Sequence, residues 1–190
     1  MATSTSSTST PATPSSVEWI RALEETEALD HLVRLFTPVG NFFVADPGRR
    51  DLLRGAWLGH AVHPPLTDLP IGLWSSAVVL DLIGGKKARP AAQRLIGLGL
   101  LAVGPTAWTG WAEWAGRSQR DQRVGAMHVV WVGATIAGFA ASWRARRRGD
   151  HRRGVLLALA SSATLGTTAF LGGHLAVARK VGSRDAAFEG

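Results

Sequence analysis

The sequence predicts an all-α integral membrane protein, folded as a four-helix bundle. Its composition, 46% hydrophobic, would also suit a soluble domain. The apolar residues, however, concentrate in four blocks of 17 to 24 residues, close to the roughly 20 that span a bilayer as a helix. The last two blocks lack the polar face that a soluble helical bundle needs. Basic loops and tryptophans flank the blocks, as they do in membrane proteins. We therefore expect spans near residues 66–83, 95–112, 124–143 and 155–178.

Two regions are expected before the first span. Residues 1–16 are Ser, Thr, Ala and Pro apart from one Met, a composition that predicts a disordered tail. Residues 17–62 are predicted to form an amphipathic, interfacial helical region. Its first helix, over 17–36, has two apolar stripes that are rotated against each other, which predicts a bend near residues 24–26 and an end at Pro38. The acidic residues 24–27 favour docking on the bundle over binding to lipid.

The transmembrane domain is expected over residues 63–183, followed by a C-terminal tail at 184–190. A short interfacial helix is expected over residues 51–62, stopped by Pro64 and Pro65. Asp68 is the predicted N-cap of the first span, with Pro70 in its first turn. In the last two spans small residues recur every four positions, a spacing that lets membrane helices approach closely. These predicted packing residues are Gly133, Ala137, Ala141, Ala158, Ser162 and Gly166.

The chain is strongly basic, with a formal charge of +7 and a pI of about 11.3. A basic patch can indicate nucleic acid, but these residues lie beside the spans, where the lipid bilayer is the expected partner. The loops after the first and third spans carry ten Lys and Arg, against nine near the opposite ends of the spans. The positive-inside rule then predicts cytoplasmic basic loops and external termini.

Three histidines mark a candidate site at one face of the membrane. His63 precedes the first span, His128 lies about four residues into the third, and His174 about four before the end of the fourth. The last two therefore lie roughly 6 Å below the same surface. Imidazole ligates haem iron and transition metals, and a carboxylate such as Asp68 can orient a ligating ring.

The sequence thus predicts His63, His128 and His174 as ligands of a transition metal, or of haem b, with Asp68 completing the cofactor site. The glycines before His174 would allow close approach of a partner helix or a flat cofactor. An alternative is that these side chains cap helices and bind loops at a polar interface. Asp81, near the other end of the first span, is expected to pair with Lys86 or Arg94, with a proton relay as the alternative.

The stretch from His63 to Trp74, His-Pro-Pro-Leu-Thr-Asp-Leu-Pro-Ile-Gly-Leu-Trp, resembles a bacterial membrane family catalogued as domain of unknown function 2231. The Val-Leu-Asp-Leu-Ile-Gly-Gly sequence at 79–85 and the Gly-Gly-His sequence at 172–174 extend the resemblance, which covers about residues 55–185. The family carries no assigned catalytic residues. Similar actinobacterial proteins often continue into a Rieske-type iron–sulfur domain, so the resemblance implies an association with electron transfer. Without cysteine this chain carries no such cluster itself.

Two functions remain open from the sequence. One is a haem- or metal-binding, redox-associated membrane module. The other is a cofactor-free anchor or scaffold for an electron-transfer partner, such as a Rieske-type iron–sulfur protein. No Walker loop, nucleotide fingerprint, HExxH or GxSxG motif is present, which favours a role other than enzyme. A transporter is disfavoured because four helices are few and no pair of broken helices is evident.

Overall fold

A computed structural model describes residues 14–182 of the chain. All regular structure in this range is helical. The predicted N-terminal tail lies outside the described residues except for 14–16, where helix α1 already begins at Ser15. The predicted C-terminal tail, residues 184–190, lies wholly outside them.

Four long helices form the core of the fold. They are α4 (His63–Ile83), α5 (Gly85–Trp114), α6 (Gln119–Arg147) and α7 (His151–Gly173), and α7 continues as a π-helical segment, His174–Ala178. Each is long and apolar enough to cross a membrane, which confirms the predicted all-α membrane fold. The 30 residues of α5 measure about 45 Å at about 1.5 Å per residue, whereas the hydrocarbon layer is about 30 Å thick. The helix therefore extends beyond the hydrocarbon layer. Its projecting first turns carry the basic residues that the sequence assigned to the preceding loop.

Helix α4 begins earlier than the sequence predicts. The expected N-cap, Asp68, lies more than one turn inside the helix, which starts at His63 with Pro64 and Pro65 in its first turn. Proline suits this position because the first N–H groups of a helix lack intrahelical partners and the ring presets the backbone angle. The two prolines, expected to stop a preceding helix, instead start the spanning one.

The four helices pair into two hairpins, α4 with α5 and α6 with α7. Within the first hairpin, a Cβ on Gly99 would lie 2.3 Å from the indole nitrogen of Trp74. Within the second, a Cβ on Gly138 would lie 2.1 Å from Oγ of Ser161. Of the predicted packing residues, Ala158 is fully buried in the core. Gly133 and Gly166, in contrast, have no such neighbour within 4 Å, so the prediction was wrong at these two positions. Small residues recur around the whole circumference of both helices, and their spacing alone does not identify the buried face.

The hairpins are joined firmly at the end opposite to His63. Trp74 of α4 stacks on Phe139 of α6, with ring centroids 4.4 Å apart and planes inclined by 13°. Nearer the end of α4, Asp81 accepts two hydrogen bonds from Arg146 of α6, at 2.8 and 2.5 Å. Both of these side chains are 1% exposed. A stacked pair and a bidentate ion pair therefore hold α4 against α6.

The partner of Asp81 is not the one predicted. The sequence favours Lys86 or Arg94, which follow soon after in the chain. Arg146 reaches Asp81 because α6 runs unbroken to Arg147 and carries the guanidinium to the end of α4. Nε of Arg146 lies 3.2 Å from Oγ of Ser142, one turn earlier on α6, which fixes the direction of the side chain.

The N-terminal region consists of α1 (Ser15–Glu25), a 3₁₀ turn (Glu27–Leu29), α2 (Asp30–Val44) and α3 (Pro47–Arg54). The break between α1 and α2 lies where the sequence predicts a bend. The expected end at Pro38 was wrong, because α2 continues through it. A proline inside a helix costs about 3 kcal/mol, which the packing of Val33 and Phe36 beside Trp111 and Trp114 offsets.

These helices dock on the membrane domain at the end that carries His63. Arg123 of α6 holds the carboxylate of Asp30 with two bonds, Nε to Oδ1 at 2.7 Å and Nη2 to Oδ2 at 2.9 Å. The hydrogen bonds from Arg123 and from the amide of Gln119 lower the pKa of Asp30 to about 2. The start of α2 is thus fastened to the start of α6 by an ionised carboxylate.

Candidate functional site

A cavity of about 630 Å³ lies between the two hairpins, at the end away from the Asp81–Arg146 pair. Its size falls within the range of about 300–1,000 Å³ that is typical of pockets for cofactors and other small ligands. All four spanning helices line it. The body is apolar, with side chains such as Ile71, Val103, Val132, Ile136 and Leu165, and Trp74 lines its inner part.

His63 lines this cavity from the start of α4. Its Nδ1 lies 2.9 Å from the carbonyl oxygen of Thr106 on α5. A carbonyl oxygen only accepts hydrogen bonds, so the tautomer that makes this bond carries its proton on Nδ1. The hydroxyl oxygen of Thr109 lies 3.1 Å from the same nitrogen. The ring fits there because position 110 is glycine: a Cβ would lie 2.7 Å from Cε1 of the imidazole.

His128 lines the same cavity from the other hairpin. Its Nδ1 lies 3.1 Å from the carbonyl oxygen of Thr168 on α7, so this nitrogen also donates. Gly172 flanks the ring, since a Cβ there would lie 3.1 Å from Cε1. One of the two glycines in the Gly-Gly-His sequence therefore makes room for a histidine of the neighbouring helix.

The two histidines share one chemical property. In a neutral imidazole whose Nδ1 donates, the other nitrogen, Nε2, carries a free lone pair. Such a nitrogen can bind a metal or accept a proton. Ligating histidines nearly always donate their second nitrogen to a carboxylate, a carbonyl or water, which fixes the orientation of the ring. His63 and His128 have this arrangement, one from each hairpin.

His174 lies apart from these two. It starts the π-helical segment, and it is not among the residues that line the cavity. Its Nε2 lies 3.3 Å from Oε1 of Glu24 on α1. Arg179 also approaches Glu24 and binds Asp121 at 2.6 Å. The third predicted ligand thus takes part in the network that fastens α1 to the end of the membrane domain.

Asp68 lines the cavity but is exposed, and Thr106 supplies the oxygen that orients His63. Within residues 14–182 no group of three or more His, Asp or Glu side chains has an arrangement that could hold a metal ion. The structure therefore brings together His63, His128 and Asp68 around one cavity, without the predicted three-histidine cluster.

The rim of the cavity is polar. Glu113, at the end of α5, accepts a hydrogen bond of 2.8 Å from Nη2 of Arg117. A Cβ on Gly182 would lie 2.7 Å from the Glu113 carboxyl carbon, so the chain that follows α7 runs directly over this pair. Val181, in the same stretch, lines the cavity. The rim therefore carries one guanidinium and lies beneath the end of the described chain.

Comparison with known proteins gives one family. The model described as "Predicted membrane protein (DUF2231)" matches residues 59–185, which include α4 to α7 and the whole cavity lining. No curated protein and no solved structure matches the chain. The match spans well over half of the 190 residues. The chain is therefore a multi-pass integral membrane protein that belongs to the family of domain of unknown function 2231.

Proposed function

We propose that this protein is a redox-associated membrane module that binds haem b, which His63 and His128 would hold through the iron. One observation carries the proposal. Two imidazoles, one from each hairpin, line a single apolar cavity, and each has its Nδ1–H held by a backbone carbonyl so that Nε2 is free.

Haem fits the cavity better than a bare metal ion does. A volume of about 630 Å³ and an apolar lining suit a large flat ligand. A single ion would need three or four ligands at one point, and the described residues hold no such group. At the rim, Arg117 binds Glu113 through Nε and Nη2, and its remaining Nη1 is the donor that would meet a carboxylate, such as a haem propionate. When bound, haem iron would supply one-electron chemistry.

The chain's own residues would bind and orient the cofactor and keep water away from it. Thr106 and Thr168 hold the two ligand rings, while Trp74 and Ile136 exclude water from the inner part of the cavity. A cofactor near one membrane face can exchange electrons with a protein that docks there. A Rieske-type iron–sulfur protein, at the external face of a bacterial plasma membrane, is the proposed partner.

An absorption spectrum and metal analysis of the detergent-purified protein, before and after addition of haemin, test this function. The wild type should bind one haem with the spectrum of a low-spin, two-histidine complex. His63→Ala and His128→Ala should each lose that spectrum, and added imidazole should restore it. His31→Ala, at an exposed position, and His174→Ala serve as controls and should bind like the wild type.

Two results would reject the assignment. A wild-type protein that carries no haem and takes none up would support the cofactor-free anchor. If His174→Ala lost haem while His63→Ala bound it normally, His174 rather than His63 would be a ligand.

A further inference from the structure

The cavity has an opening on one side, between α4 and α7. Among its lining residues, only four are exposed: Pro65 and Asp68 on α4, and Ala169 and Gly173 on α7. The lining residues that α5 and α6 contribute are buried or half-buried. A residue that both lines the cavity and is exposed lies where the cavity meets the surface. The opening therefore lies between the first and the last spanning helix.

The opening lies within the membrane-spanning part of both helices. Asp68 is five residues from the start of the candidate span His63–Ile83, and Gly173 is five from the end of His151–Ala178. At about 1.5 Å per residue, both lie about 7 Å inside the span. The two sides of the opening therefore face the bilayer at one depth.

Small residues keep the opening clear on the α7 side. Ala169 carries only a methyl group, and no atom lies within 4 Å of where a Cβ on Gly173 would be. Contact between α4 and α7 is also much less extensive than contact within either hairpin.

The aqueous side of the cavity, in contrast, is covered. Val181 lines it there, and a Cβ on Gly182 would lie 2.7 Å from the carboxyl carbon of Glu113, which is itself only 5% exposed. The rim residues Arg117 and Asp121 are half-buried. A ligand arriving from water would have to displace this stretch of chain, whereas a ligand dissolved in the bilayer would meet the gap between α4 and α7.

We propose that the cavity is filled sideways from the bilayer, through the opening between α4 and α7. Its ligand is then a molecule that partitions into the membrane, and haem b dissolved in the bilayer is the occupant that we assign. The assignment of haem rests on the proposed function, whereas the route rests on the exposure of the lining alone.

Because the chain has no cysteine, the route can be tested with single introduced cysteines in protein reconstituted into lipid vesicles, by measuring how fast each thiol reacts. A cysteine at Val132, inside the cavity, should react with a lipid-soluble maleimide at least ten times faster than with a sulfonated, water-soluble one. Adding Ala169→Trp or Gly173→Trp should slow the lipid-soluble reaction about tenfold. Gly166→Trp, on the same helix but outside the cavity, should leave that reaction unchanged. A cysteine at lipid-facing Leu101 should react at the same rate with and without Ala169→Trp or Gly173→Trp.

Haem supply gives a second measurement. Vesicles that already contain haemin should load the wild-type protein, and Ala169→Trp should slow this loading more than the Gly166→Trp control does. If the wild type takes up no haem, the proposed function fails while the thiol reactions still decide the route. Equal labelling of Val132→Cys by the water-soluble reagent, or no effect of either tryptophan, would overturn the sideways route.

Discussion

Glycine at position 110 determines whether His63 can point into the cavity. A Cβ at this position would lie 2.7 Å from the imidazole, closer than real Cβ contacts. The ring is also tied to Thr106, so it cannot move away without losing its hydrogen bond. Gly133, inside α6, has open space around it and offers a matched comparison.

We predict that Gly110→Ala lowers the free energy of unfolding by about 1–3 kcal/mol, the usual cost of overpacking. Gly133→Ala, on α6, should be neutral or stabilising by up to about 1 kcal/mol, since alanine favours a helix. The measurement is equilibrium unfolding in detergent, followed by tryptophan fluorescence. In a His63→Ala background the cost of Gly110→Ala should vanish; an unchanged cost there would show that the imidazole is not what the new methyl group meets.

The histidines that line the cavity were predictable from the sequence, but their bonding partners were not. His63 and His128 stand near the predicted membrane face because helix length and alternating direction determine depth. The groups that orient them are main-chain carbonyls of Thr106 and Thr168, which any residue type could supply. His174 was predicted at the same level, yet it pairs with Glu24. The direction in which a side chain points around its helix, unlike its depth, depends on packing, here against the distant helix α1.

At the level of helices, the Asp81–Arg146 pair is the strongest polar connection between the hairpins. Both side chains are nearly inaccessible, so neither charge has water to replace its partner. Removing one member of a buried ion pair typically costs about 3–5 kcal/mol, whereas replacing both by apolar residues of similar size can be nearly neutral.

We therefore predict that Asp81→Leu and Arg146→Met each destabilise the protein by about 3–5 kcal/mol. The double variant should recover most of that loss, because no buried charge is left alone. Arg144→Met, at an exposed position on the same helix, is the control and should have little effect. Thermal unfolding of the wild type and these four variants in one detergent gives the comparison. Additive losses in the double variant would contradict a direct pair.

A second prediction at this scale concerns pH. The bonds to Asp30 lower its pKa to about 2 from 3.8, so the carboxylate stabilises the docked α2 above about pH 4. That contribution is lost as the pH falls from about 4 through 2. The difference in melting temperature between wild type and Asp30→Asn should be constant from pH 7 to 5 and shrink toward zero by pH 2. A difference that stays constant to pH 2 would exclude this carboxylate as the cause.

The existence of the long helices could be predicted, whereas several of their boundaries could not. Apolar block length identified α4 to α7. The prolines were all expected to end helices. Instead, Pro64 and Pro65 start a helix, and Pro38 lies inside one. Proline restricts one backbone angle and removes one donor, and only tertiary contacts, here those of α2 with Trp111 and Trp114, decide whether the helix continues.

For the whole molecule, we predict that thiols introduced at different depths report the four spans and their direction. Ala137→Cys and Gly166→Cys should resist a water-soluble reagent in intact cells. Gln119→Cys, at the external start of α6, should react at once, and Arg148→Cys, in the basic loop, only after the membrane is made permeable. The reverse pattern for the last two would place the basic loop outside while leaving the four spans intact. Rapid labelling of Ala137→Cys would exclude the third span.

The side opening also makes the two halves of the bilayer unequal for this protein. Asp68 and Gly173 lie close to one end of their spans, and the opposite end is closed by Trp74, Phe139 and the Asp81–Arg146 pair. Only the leaflet on the histidine side touches the gap. A haem molecule made or delivered on the other side must first flip across the membrane. The rate of that flip, rather than affinity for the cavity, would then set how fast newly made protein is filled.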